Sequence, residues 1–167
     1  TFFTQPELHS SVKGTFFRSA TRTALRRSAR CIVPSKATRD EVVRILDADP
    51  TLLEVAYHGV DQQTFHVPAD DEKQRVQARL GLAGQPYIAF LGMLEPRKNV
   101  PGLIRGWVKA CGKLDSPPAL VLAGGSGWDD TIDQAISEVP SHLLVQRPGY
   151  LRFTDLPGFL GTAASVD

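Results

Sequence analysis

A chain of 167 residues, 42% of them hydrophobic and 22% charged, can bury one sizeable core or parts of two. Its net charge of +1 gives no overall electrostatic argument for nucleic acid, so none is expected as a partner. Two cysteines, Cys31 and Cys111, stand in no CxxC or Cys/His pattern. That argues against a zinc site and a disulfide framework, and leaves both as packing residues in a reducing, cytoplasmic compartment. No apolar run is long enough to span a membrane and no signal-peptide pattern is visible. The chain opens Thr1-Phe2-Phe3 without a methionine and closes Ala164-Ser165-Val166-Asp167, like the first residues of a strand, so both ends read as cut.

The first predicted element is a helix from Pro6 to Ala29. Val12, Phe16, Ala20 and Ala24 recur at four-residue spacing, with Arg18, Arg22 and Arg26 on the far face. No Asp or Glu occurs between Glu7 and Asp40, an interval with eight Lys or Arg. Such a basic helix permits peripheral contact with anionic lipid at the inner membrane face, or is simply a helix with a solvated side. Cys31-Ile32-Val33 is a short strand. A helix from Lys36 to Leu46 follows, with Ser35 as its N-cap. A second strand is expected over Leu52–Tyr57, then the loop His58-Gly59-Val60-Asp61. Gln62 to Pro68 is irregular and Asp70 to Leu80 is a polar helix closed by Gly81. The composition changes between residues 60 and 70, which predicts a domain boundary there.

Tyr87-Ile88-Ala89-Phe90-Leu91 is an apolar run of the kind buried on both faces of a parallel sheet. Gly92 ends it. The short loop Met93–Asn99 carries Glu95, Arg97 and Lys98, and Pro101 opens a helix for which Asn99 is a candidate cap. Pro117-Pro118 breaks the chain before the strand Ala119–Ala123. Gly124-Gly125-Ser126-Gly127-Trp128 leads into a helix over Asp129–Glu138. A third strand is expected at Leu143–Val145, then Pro148-Gly149-Tyr150, then a helix from Asp155 to Ala164. Alternating strands and helices imply a doubly wound parallel α/β sheet, whose ligands lie at the carboxyl ends of strands.

Strand, loop with paired cations, helix start: that order suits an anion. The helix N-terminus contributes free N–H groups and partial positive charge, Lys98 a full charge, and Arg97 a fork that matches phosphate. The same residues would also serve as a solvated charged loop. Gly124-Gly125-Ser126-Gly127 lets a ligand approach the backbone, but it is neither a dinucleotide fingerprint nor a Walker loop. A nicotinamide-dependent oxidoreductase is disfavoured on that ground.

Taken in order, IVPSKATRDEV, HGVD, YIAFLGMLEPRKNVPGLI, LVLAGGSGWDD and RPGYLRFTDLPGFL resemble the family 4 glycosyltransferases (glycosyl transferases group 1) of the GT-B fold. The likeness is tightest from Ile32 to Leu160. It implies parts of two Rossmann-like domains: residues 1–62 the last part of an acceptor-side domain, and 63–167 the first half of a domain that binds a nucleotide-sugar donor. Lys98 matches the family lysine on the donor diphosphate, with Arg97 in the same motif. Gly92, Gly124 and Gly125 match backbone that approaches the nucleotide, and Tyr150 a segment near the base. Gly59 matches the glycine of the interdomain turn. The resemblance implies transfer of a hexosyl group, mannosyl or glucosyl, to a saccharide or lipid-linked acceptor with retention. It implies no metal or other cofactor.

Two positions depart from the family. Met93 stands where many relatives carry arginine, and His58 where asparagine is common. The family's His-Asp pair would precede this chain, and its Glu-x7-Glu element would follow it. No catalytic residue is therefore assigned within the chain, and His9, His66 and His142 are not promoted to that role. The expectation is an internal fragment of a hexosyltransferase, inactive alone. The alternative is a truncated, non-catalytic module that binds a nucleotide or a protein.

Overall fold

The computed structural model describes residues 2–6, 10–82 and 84–166. They form two units, Thr1–Val60 and Asp61–Asp167.

The first unit runs α1 (Ser11–Arg27), β1 (Cys31–Val33), α2 (Lys36–Leu46) and β2 (Leu53–Val55). β1 and β2 pair in parallel, Cys31 opposite Leu53 and Val33 opposite Val55. Ser35 caps α2 as expected: its hydroxyl accepts the Thr38 N–H at 3.0 Å. The second strand is shorter than predicted, because Pro50–Leu52 coils into a 3₁₀ turn held by the Asp49 carboxylate on Thr51 N–H. α1 departs from its amphipathic reading. Its stretch 7–9 lies outside the described residues, and the helix begins at Ser11. Val12 is 81% and Phe16 67% exposed, so the apolar stripe faces outward. The covered line is Gly14, Arg18, Thr21 and Leu25. Phe2 and Phe3 explain this: Phe2 stacks on Phe17 at 4.5 Å, Arg18 donates to the Phe2 carbonyl at 3.3 Å, and the Arg22 guanidinium lies over the Phe3 ring. Apolar periodicity gives the helix, but which side is covered depends on neighbours.

The second unit runs α3 (Asp70–Leu80), β3 (Tyr87–Leu91), α4 (Val100–Cys111), β4 (Ala119–Ala123), α5 (Thr131–Ser137), β5 (Val145–Gly149), α6 (Leu156–Thr162) and β6 (Ser165–Val166). All strand pairs are parallel, in the order β5-β4-β3-β6. From β3 the chain winds outward through β4 to β5, then crosses back to place β6 on the other side of β3. The switch point of the sheet therefore lies at the carboxyl end of β3.

The strand residues divide between two cores as a period of two requires. Phe90, Leu120 and Leu122 pack with Val100, Ile104, Trp107 and Ile132 of α4 and α5. Tyr87, Ala89, Ala119, Val121 and Ala123 pack with Leu80 and Phe159 of α3 and α6. The second face is lined by smaller residues because its helices come close. A Cβ on Gly158 would lie 2.8 Å from Val76 Cγ2, and one on Gly161 2.4 Å from Pro68 Cδ. Two buried polar heads find backbone acceptors: Trp107 donates to Pro118 O at 3.0 Å and the Tyr87 hydroxyl to Phe159 O at 2.5 Å.

Three predicted boundaries move. β5 spans Val145–Gly149 rather than Leu143–Val145. Pro148 is tolerated because β5 is an edge strand whose register shifts opposite Val121 to Ala123, and Leu143 turns into the core instead. α5 starts at Thr131, since the Asp129 carboxylate takes both N–H and O–H of Thr131 in a turn. α6 stops at Thr162 so that Ala164 N–H can bond Tyr87 O at 2.8 Å, one residue before β6. Among the described residues, no helix is long and apolar enough to cross a membrane.

Candidate functional site

Three loops leave the carboxyl ends of β3, β4 and β5, and backbone hydrogen bonds tie them together. Gly92 N–H bonds Ala123 O at 3.0 Å and Leu94 N–H bonds Gly125 O at 3.0 Å. Gly124 N–H bonds Gly149 O at 2.8 Å, and Asp129 N–H bonds Leu94 O at 3.3 Å. The ladder thus continues past the strands, which explains the glycines. Gly124 has φ +136°, and a Cβ there would sit 1.9 Å from Gly92 O. Gly127 has φ +47°, and its Cβ would sit 1.7 Å from Leu94 O. Both positions admit glycine only. Gly125 differs: its Cβ would meet nothing within 4 Å, so space is open beside that backbone.

The β3 loop makes a 3₁₀ turn at Pro96–Lys98 before α4. Lys98 N–H closes it on Glu95 O at 2.8 Å. The lysine stem lies back over Gly92, with Cε 3.7 Å from where a glycine Cβ would be. The lysine is exposed, and no ion pair is recorded for it among the described residues. Arg97 is different, because its guanidinium is paired with the Glu95 carboxylate. Asn99 takes the left-handed conformation, φ +49°, which separates the 3₁₀ turn from α4. The expected cap is not made. Asn99 stands at the N-cap position, but its side chain accepts no cap hydrogen bond, because capping needs extended backbone there. The first turn of α4 therefore keeps uncapped N–H groups beside Lys98.

The structure thus brings Gly92, Arg97, Lys98, Gly124 and Gly125 onto one hydrogen-bonded edge, joined through Gly149 to Tyr150 on the third loop. Tyr150 is 86% exposed. Met93, the departure noted above, is half-exposed on the β3 loop. Gly59 carries no positive φ and no close neighbour, so nothing steric demands glycine there. His142 Nε2 lies 3.2 Å from Gly112 O, and His66 Nε2 lies 3.7 Å from Glu72. Neither stands on the loops that leave the carboxyl ends of β3, β4 and β5. His9 lies outside the described residues. Among the described residues no three His, Cys, Asp or Glu groups gather as metal ligands. Sequence reasoning missed the Glu95–Arg97 pair and the need for Gly127. A carboxylate two residues from an arginine in a proline turn was the available signal for the first.

No protein-family model matches the chain. It is 36% identical over 104 residues to the D-inositol 3-phosphate glycosyltransferase of Mycobacteroides abscessus, covering 60% of this chain and 22% of that protein. It is 24% identical over 157 residues to O-antigen chain mannosyltransferase B of Escherichia coli, covering 93% of this chain and 41% of that protein. The crystal structure of Anabaena Alr3699/HepE in complex with UDP-glucose superposes with a TM-score of 0.77 at 20% identity, over 96% of this chain and 43% of that one. The chain therefore spans less than half the length of these relatives. The chain has the fold of the GT-B glycosyltransferases, and the relatives it resembles in sequence are glycosyltransferases.

Proposed function

We propose that residues 63–167 are the donor-binding portion of a hexosyltransferase and residues 1–62 part of its acceptor-side domain. The observation that carries this is the Lys98 side chain folded over Gly92 at the switch point, next to the uncapped start of α4. The donor is a nucleotide sugar. Lys98 and, once released from Glu95, Arg97 take its diphosphate, while Gly92, Gly124 and Gly125 let the nucleotide lie against backbone and Tyr150 flanks the base. Glycosyl departure builds negative charge on the diphosphate, and fixed cations with free amide groups stabilise that charge. The relatives that are a mannosyltransferase and a UDP-glucose complex support a mannosyl or glucosyl donor. Transfer proceeds with retention to a saccharide or lipid-linked acceptor.

Titration calorimetry of the chain with UDP-glucose and GDP-mannose tests the reading. Saturable binding of one of them, weakened tenfold or more by Lys98→Ala (about 1.4 kcal/mol or above) with the melting temperature unchanged, is the expected result. Equal affinity of the wild type and Lys98→Ala would remove Lys98 from the site. The basic composition of α1, together with its exposed Val12 and Phe16, supports peripheral attachment to anionic lipid, and co-sedimentation with vesicles of anionic against neutral phospholipid checks it.

A further inference from the structure

We infer that Glu95 is a built-in counter-ion that lowers the grip of this loop on a nucleoside diphosphate more than on a nucleotide sugar. It thereby favours release of product over loss of donor. The inference rests on the donor-site reading above and names what regulates that site.

The Glu95 carboxylate is the shielded partner of its pair: its side chain is 13% exposed against 41% for Arg97. Its backbone is fixed on both sides. Glu95 N–H bonds Met93 O at 2.9 Å, and Glu95 O receives Lys98 N–H at 2.8 Å. The backbone that carries the acid is thus built into the turn that carries both cations, and the carboxylate is held there by Arg97. One carboxylate set against Arg97 and Lys98 leaves a net single positive charge on the loop, and Lys98 carries it.

The two ligands of a glycosyl transfer differ in charge at this point. The diphosphate of a nucleotide sugar is esterified at both ends and carries about two negative charges. The released nucleoside diphosphate has a free terminal phosphate, with a second pKa near about 6, and carries close to three at neutral pH. Attraction to bare cations grows with ligand charge, so an Arg-Lys pair without a counter-ion would hold product harder than donor. A fixed carboxylate repels the more highly charged ligand more and narrows that difference. Arg97 remains able to exchange its carboxylate for a phosphate oxygen, since both fit the guanidinium fork.

The test is calorimetric titration of the chain with UDP and with UDP-glucose, in the wild type, Glu95→Gln and Glu95→Asp. Glu95→Gln is expected to tighten UDP by about fivefold and UDP-glucose by about twofold at low salt, with the gap closing at high ionic strength. Glu95→Asp keeps the charge and stays near the wild type. Arg97→Gln leaves the carboxylate uncompensated beside Lys98 and weakens UDP more than UDP-glucose. Equal shifts for both ligands in Glu95→Gln, or weaker binding of both, overturn the inference while leaving the donor site intact. The second pattern would make Glu95 an orienting group for Arg97. A wild-type chain that binds neither ligand overturns the donor-site reading and the inference with it.

Discussion

A Cβ on Gly124 would lie 1.9 Å from the carbonyl oxygen of Gly92, so the β3 and β4 loops touch backbone to backbone. The lysine stem of Lys98 also lies against Gly92, with Cε 3.7 Å from where a Cβ would be. Gly124→Ala adds this clash to a φ of +136° that side chains rarely adopt. It is expected to cost about 3 kcal/mol in urea unfolding, from overpacking and backbone strain together. Gly125→Ala is the contrast. Nothing lies within 4 Å of its added methyl, so stability should stay within about 0.5 kcal/mol. If a nucleotide lies against that backbone, Gly125→Ala instead weakens UDP-glucose binding. Loss of affinity without loss of stability is the signature to look for.

Asn99 turns the chain from the 3₁₀ turn into α4 through the left-handed region. Asparagine tolerates that conformation, glycine prefers it, and a β-branched residue resists it. Asn99→Val is expected to cost about 1–2 kcal/mol, and Asn99→Gly to remain close to the wild type. If Lys98 and the α4 amide groups hold a diphosphate, Asn99→Val should also weaken nucleotide binding, because it strains the residue that joins them. Chemical unfolding paired with titration of UDP separates the two effects.

These sites also show what the sequence could and could not disclose. The apolar runs Tyr87–Leu91 and Ala119–Ala123 are long enough and bounded sharply enough that their strand limits are readable without coordinates. Gly92 and Lys98 are recognisable because a strand end followed by a cation and a helix start is a local pattern. Glu95 against Arg97 is not, because side chains two residues apart meet only once a turn has been drawn. Gly127 belongs to a cluster that reads as backbone open to a ligand, whereas its necessity comes from Leu94, 33 positions earlier in the chain and brought beside it by the sheet. Pro148 argued against a strand and lies within one, since edge position and a register shift are properties of the assembled sheet.

The reversed face of α1 gives a third prediction. Phe16 belongs to the apolar stripe yet is 67% exposed, whereas Phe159 is 1% exposed between α3 and the sheet. Phe16→Ser should shift the stability of the chain by no more than about 0.5 kcal/mol. Phe159→Ala should cost about 3–5 kcal/mol, because it removes a buried ring and leaves a cavity. Comparable losses at both positions in urea unfolding would mean that α1 packs its apolar stripe in solution.

Tyr87 supplies the pH dependence. The residue is fully buried at the start of β3, stacks on Phe159 and donates its hydroxyl to the Phe159 carbonyl. Burial disfavours the phenolate and pushes the Tyr87 pKa up from 10.0 to about 12. A raised pKa means that the folded chain holds this proton more tightly than the unfolded one. Its stabilising contribution is therefore complete below pH 10 and is lost as the pH rises from 10 towards about 12. Within that window stability should fall by up to about 1.4 kcal/mol per pH unit from this residue alone. Tyr87→Phe removes this part of the slope, leaving the other titrating groups unchanged. It also leaves the Phe159 carbonyl without its donor, at a cost of about 1–3 kcal/mol at neutral pH. Urea midpoints of the two chains, measured at neutral pH and across pH 9 to 11.5, should accordingly start apart and converge as the pH rises. Curves that stay parallel would mean that the hydroxyl meets water in the folded chain.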